Sequence, residues 1–127
     1  MTKKIINTDK APAAIGAYSQ AVKVADMVYI SGQIPLNPDT KVIVSDVFLD
    51  QAHQVFVNLT AVAEAAGGDL NDAVKLTVYV TDLANFPTLN EVMSEYLKQP
   101  FPARATVQVA ALPLGALVEI DAVLCLS

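Results

Sequence analysis

At 127 residues, 54% of them apolar, the chain suits one compact domain spanning residues 1–127 with a single modest core, and leaves no room for a second. A net charge of −5 with scattered lysines argues against a nucleic-acid footprint, which needs Lys and Arg clustered on one face. No apolar run is long enough to span a bilayer, no charged-then-apolar leader stands at Met1-Thr2-Lys3-Lys4, and the single Cys125 cannot form an internal disulfide; the expectation is a cytoplasmic protein without membrane contact.

In chain order, residues 19–24 and 27–30 read as a hairpin turning at Ala25-Asp26, followed by a turn at Asn37-Pro38-Asp39. A helix comes next, with Ser45 as its expected cap. Phe48, Ala52, Val55, Phe56, Leu59 and Val62 recur at helical spacing until Gly67-Gly68 stops the run. Residues 74–80 alternate as a strand. Pro87 opens a second helix that buries Leu89, Val92, Met93, Tyr96 and Leu97. Two strands close the chain, at 103–109 and 117–126, joined across Pro113-Leu114-Gly115. That order predicts an α+β fold, a mixed sheet with both helices packed on one face. The other face then carries Tyr79, Leu117, Val123 and Cys125 among Lys75, Thr77, Thr106 and Glu119, too apolar a surface for water and one that other copies of the chain would cover.

Arg104 is the only arginine. In its strand Ala103, Ala105, Val107 and Val109 alternate with Arg104, Thr106 and Gln108, so the polar groups share one side. If the last two strands form a hairpin over one core, Arg104, Thr106, Glu119 and Asp121 lie together on the opposite face. With Gln108 opposite Glu119 and Arg104 opposite Val123, Arg104 and Glu119 stand on the order of 13 Å apart. They would meet through a ligand and water, or Glu119 would serve a site completed by another chain. The planar guanidinium suits a carboxylate, and Pro100 and Pro102 stiffen the approach to it. The plainer alternative is a solvated strand face. His53 is the only histidine, so no zinc set and no Ser-His-Asp arrangement is available, and Gly67-Gly68 follows no phosphate-loop pattern.

Pro102-Ala103-Arg104-Ala105, Val107, Ala110, Leu112 and Val118-Glu119-Ile120, with residues 11–20 and Ser31-Gly32-Gln33-Ile34-Pro35, resemble the motifs of the RidA family, also called YjgF, nearly end to end. The resemblance implies a chorismate-mutase-like homotrimer with sheets facing inward and active sites between chains. It implies hydrolytic deamination of 2-iminobutanoate and 2-iminopropanoate to 2-keto acids and ammonia, with no cofactor and no metal. Arg104 then grips the substrate carboxylate, backbone groups around Ala105 and Thr106 help to orient it, and Glu119 positions or deprotonates water. Tyr18 and Ser31 close the pocket, with Asn90 a further candidate. Read from the residues alone, Tyr18 packs its ring, Ser31 beside Gly32 ends a strand, Glu119 and Asp121 are strand carboxylates, and Asn90 faces solvent. Thr106 stands where many deaminase members carry cysteine, which removes a thiol route that the deamination does not need. Two rivals remain: a non-catalytic binder of small 2-keto carboxylates using the same Arg104, and an RNA-directed endoribonuclease or translation inhibitor, which the charge balance disfavours.

Overall fold

Alternation and helical periodicity resolve into β1 (Lys4–Ile6), β2 (Ala21–Val24), β3 (Met27–Gln33), α1 (Phe48–Ala65), β4 (Ala73–Val80), α2 (Phe86–Tyr96), β5 (Ala103–Gln108) and β6 (Val118–Cys125). The computed structural model describes residues 2–126; Met1, where the leader expectation begins, and Ser127 lie outside them. The strands form one sheet in the order β1-β2-β3-β6-β4-β5, antiparallel throughout except that β4 and β5 run parallel. A parallel pair needs a crossover, and α2 supplies it. β1 is a short edge strand with no expectation behind it, because three residues are too few to show a period.

Both helices lie on one face, as the periodicity predicts. On α1, Phe48, Ala52, Val55, Phe56, Leu59 and Val62 are buried, and on α2 Leu89, Val92 and Met93. They meet Leu76, Val78 and Val80 of β4 and Val118, Ile120 and Leu124 of β6 in a single core. Gly67, at φ +94°, ends α1 in the left-handed region that an L side chain rarely adopts. The Ser45 cap does not form. The helix cap is Val47, without a side-chain bond, while Ser45 Oγ accepts from the Val47 N–H at 3.0 Å and donates to Asp50 at 2.8 Å, closing the turn before the helix instead. Buried Gln51 ties α1 to the strand it crosses, accepting from the Leu117 N–H at 2.8 Å and donating to the Ser45 carbonyl at 2.8 Å.

The last two strands contradict the expected hairpin. β6 lies inside the sheet between β3 and β4, whereas β5 is the edge and pairs only with β4, placing Arg104 opposite Leu76 and Thr106 opposite Val78. Leu76 and Val78 point at the helices, and residues in register share a face, so Arg104, Thr106 and Gln108 point there too. Glu119 is opposite Tyr79 and Asp121 opposite Thr77 on the bare face. Arg104 and Thr106 therefore do not share a face with Glu119 and Asp121, and the hairpin spacing between Arg104 and Glu119 does not exist. Parity was right about which residues alternate and wrong about which face was the core. The apolar row Ala103, Ala105 and Val107 belongs to the bare face, as do Ile5 and Tyr29, which are 51% and 52% exposed. Among the described residues no helix is long and apolar enough to cross a membrane.

Candidate active site

The structure gathers the candidate residues into two groups on opposite faces. The first is built where α2 leans over edge strand β5. The Arg104 guanidinium donates from Nη1 to Asn90 Oδ1 at 2.6 Å and to Met93 Sδ at 3.5 Å, and lies 4.9 Å above the centre of the Phe86 ring. Arginine has only donors, so Asn90 must present its oxygen. Every one of these partners is neutral. Among the described residues the one acid–base contact is His53 with Glu95, which is an ion pair only when His53 is protonated and does not involve Arg104, so Arg104 is a cation held in place without an anion. It lines a cavity of about 490 Å³ with Asn90, Met93, Ser94, Phe101 and Pro102. Asn90, read from the sequence as a weaker candidate, is thus the side chain that orients the guanidinium, while Met93 was legible only as core and Phe86 carried no expectation.

Ala105 and Thr106 follow Arg104 on a strand whose outer row of peptide groups faces away from β4, as an edge strand's must. Thr106 Oγ1 is buried, with no hydrogen-bond partner among the described residues. A hydroxyl in that state weakens the fold, whereas a thiol or methyl in its place has no bond to lose.

The second group lies on the bare face, at a bulge in β3. Register passes from Ile30 opposite Ala122 to Gln33 opposite Ile120, so β3 holds one extra residue there, within Ser31-Gly32. The strand runs through Ser31 and Gly32 instead of ending at them. Ser31 anchors the bulge, donating from Oγ to the Ser19 carbonyl at 2.6 Å and from its N–H to the Gln20 carbonyl at 2.9 Å. Gln20 is itself buried and bonded to Thr8, Ala11 and Pro12, which lays the segment bearing Tyr18 beside the bulge. Tyr18 is half exposed, its hydroxyl accepting from the Ile15 N–H at 3.3 Å and from no other group among the described residues. Glu119 stands against Gly32, its carboxyl carbon within 2.9 Å of where a β-carbon on that residue would sit.

Burial first, and then the charge of Asp121 beside it, push the Glu119 carboxyl above its ordinary value. Asp121 is not idle: Tyr79 Oη donates to it at 3.1 Å, and burial together with the two carboxylates raises the Tyr79 hydroxyl in turn. One cation without an anion, and one carboxylate disposed to take up a proton, are what the two groups offer to a small acid. Among the described residues no three His, Cys, Asp or Glu side chains are grouped as metal ligands would be.

Comparison with known proteins places the chain in a family by sequence and fold. The family model described as Endoribonuclease L-PSP matches residues 8–125. The crystal structure of RidA from an Antarctic Psychrobacter species is 56% identical, covers 96% of this chain and 98% of its own, and superposes with a TM-score of 0.93. The human 2-iminobutanoate/2-iminopropanoate deaminase is 46% identical over 97% of this chain and 90% of its own length. Escherichia coli TdcF, solved with bound serine, is 43% identical, covers 98% of this chain and 99% of its own, and has a TM-score of 0.91.

Two predictions follow from the site's energetics. Thr106→Val, which keeps the shape and removes the orphaned hydroxyl, should raise the unfolding free energy by roughly 1 kcal/mol in urea titrations; a loss of stability would mean that Oγ1 has a partner. Asp121→Asn removes one of the two causes acting on Glu119, so the Glu119 midpoint, followed by carboxyl-carbon NMR, should fall while staying above the ordinary value because burial persists. A raised carboxyl favours the fold fully below its unfolded value and loses that contribution as pH rises through the folded value. The variant should therefore lose stability over a lower and narrower pH window than the wild type.

Proposed function

This chain belongs to the endoribonuclease L-PSP, or RidA, family, and we propose that it hydrolyses small 2-imino acids to 2-keto acids and ammonia, in clefts that two neighbouring chains of a trimer complete together. The observation that carries this reading is the pairing of two incomplete groups: Arg104 fixed by Asn90 on the edge of one face, and Glu119 with Ser31 and Tyr18 on the other. A single sheet keeps them apart. An edge strand laid against the bare face of the next chain brings Arg104 to a neighbour's Glu119, and repeating that head-to-tail contact closes a ring. The half-exposed apolar surface of Ile5, Tyr29 and Val107 favours such cover, with sheets turned inward.

In this site the guanidinium grips the substrate carboxylate with two parallel bonds, and peptide groups at Ala105 and Thr106 assist. Asn90, its oxygen committed to Arg104, has its NH₂ left to donate. Glu119 takes a proton from water as the water adds to C2. Glu119 passes that proton to the nitrogen, and as the C2–N bond breaks the C2 hydroxyl gives up its remaining proton, which leaves with the nitrogen as ammonia, so the 2-keto acid forms with no change in oxidation state. A proton carrier with a raised carboxyl is suited to both halves of that transfer. Tyr18 and Ser31 border the cleft on the Glu119 side. The single Cys125 supports a cytoplasmic address. The net charge of −5 and the neutral surroundings of Arg104 favour a small carboxylate over RNA, and TdcF binding an amino acid is in keeping with this.

Mixing two dead variants tests the shared site. Arg104→Ala and Glu119→Gln should each be inactive alone, while their co-refolded mixture should regain about a quarter of wild-type activity, the share of clefts in a random ring that pair an intact arginine with an intact glutamate. A mixture as inactive as its parts would place both residues in one chain's site, and a sedimenting monomer would end the trimer.

Arg104→Lys keeps the charge and loses the fork. A charge-assisted bond worth roughly 1.5–3 kcal/mol goes with it, so kcat/KM for iminopropanoate, trapped with semicarbazide, should fall about ten- to a hundred-fold. Melting temperature and sedimentation should not change. Dissociation with activity intact would make Arg104 a structural contact instead.

A further inference from the structure

We infer that Gly32 is a positioning residue whose missing side chain leaves the space that the Glu119 carboxylate occupies. A glycine in a strand has two physical explanations, a backbone that other residues cannot adopt or a neighbour that a β-carbon would strike. The first does not hold here. The positive-φ glycines are Gly16, Gly67 and Gly115, and Gly32 is not among them. The second holds strongly: a β-carbon built on Gly32 would overlap Glu119 Oε2 and approach its Cδ to 2.9 Å and its Cγ to 3.2 Å. All three atoms belong to one side chain and none to backbone. A methyl at residue 32 would therefore displace Glu119 and leave the sheet in place.

The surrounding structure makes that space a defined one. The bulge sets Gly32 against β6, and it is held from behind by the Ser31 bonds to the Ser19 and Gln20 carbonyls. The groups that face Glu119 are Asp121 on its own strand and Tyr79 across on β4, while β3 brings no charged residue to the bulge. With a like charge on one side and a phenol already bonded to that charge on the other, no cation or hydrogen bond among the described residues draws the carboxylate to its place. Its position is set by shape, and Gly32 is the shape. Displaced from the bulge, the carboxylate gains water and takes up its proton less readily.

The inference rests on the reading of Glu119 as the group that activates water, and Gly32→Ala separates the two. In the intact trimer the variant should keep its melting temperature within a few degrees, lose roughly ten- to a hundred-fold in kcat/KM, as a misplaced catalytic group does, and show its acid limb at lower pH. The Glu119 carboxyl-carbon titration, which needs no turnover, should move down with it. Wild-type activity with an unmoved midpoint overturns the inference, as does a loss of activity whose acid limb and midpoint stay where they were. If Glu119→Gln proves fully active, the catalytic reading falls and the titration alone decides whether Gly32 places the carboxylate. Should Gly32→Ala melt early, the double variant with Glu119→Ala must recover the stability of Glu119→Ala alone; a double variant that still melts early shows a backbone role and overturns the inference.

Discussion

The position of β5 governs what this molecule can do. Because β4, α2 and β5 form a parallel crossover unit, the strand bearing Arg104 is carried to the outside of the sheet and paired only with β4. Had it folded back on β6 as a hairpin, the guanidinium would have faced the same surface as Glu119 and Asp121, away from α2 and its neutral partners. At the edge and turned toward α2, it meets an amide oxygen, a thioether and a ring, none of which removes its charge. A cation whose partners are all neutral keeps its charge available to an anion.

The same arrangement leaves the opposite face to Glu119. Burial against a bulged strand and the company of Asp121 make its carboxyl a better proton acceptor than an exposed one. The arrangement opposes stability once the carboxyl ionises, since burial penalises the charged form. Such local conflict is expected where chemistry is done, and here it coincides with other irregularities: an extra residue in β3 and a glycine without a conformational need for it. On the Arg104 side the buried Thr106 hydroxyl without a partner belongs to the same pattern.

Much of this was legible before any coordinates. The helical runs of α1 and α2, the stop at Gly67, the β2–β3 hairpin and the alternation of β4 all follow from periods and breakers, which depend on neighbours a few residues away. The chemistry of Arg104 was legible too, because it is the only guanidinium in the chain and sits in a strand stiffened by two prolines. Residue types and motif resemblance together named Tyr18, Ser31, Asn90, Thr106 and Glu119 as the set worth following.

What the amino-acid sequence determined, then, was each helix, every strand but the short β1, and the reactive character of their side chains. Which strand lies beside which was decided only by the tertiary structure. Alternation along β5 is equally consistent with either face being the core, and the two assignments differ by a rotation that no local pattern registers. The choice was made by the crossover through α2, whose apolar face had to cover β4 and which carried β5 past β6 to the edge. The contact of Gly32 with Glu119 joins residues on different strands, and so does the bond of Asn90 to Arg104 across a helix and a strand. Both arise from side chains brought together by packing, a long-range consequence of burying one continuous core.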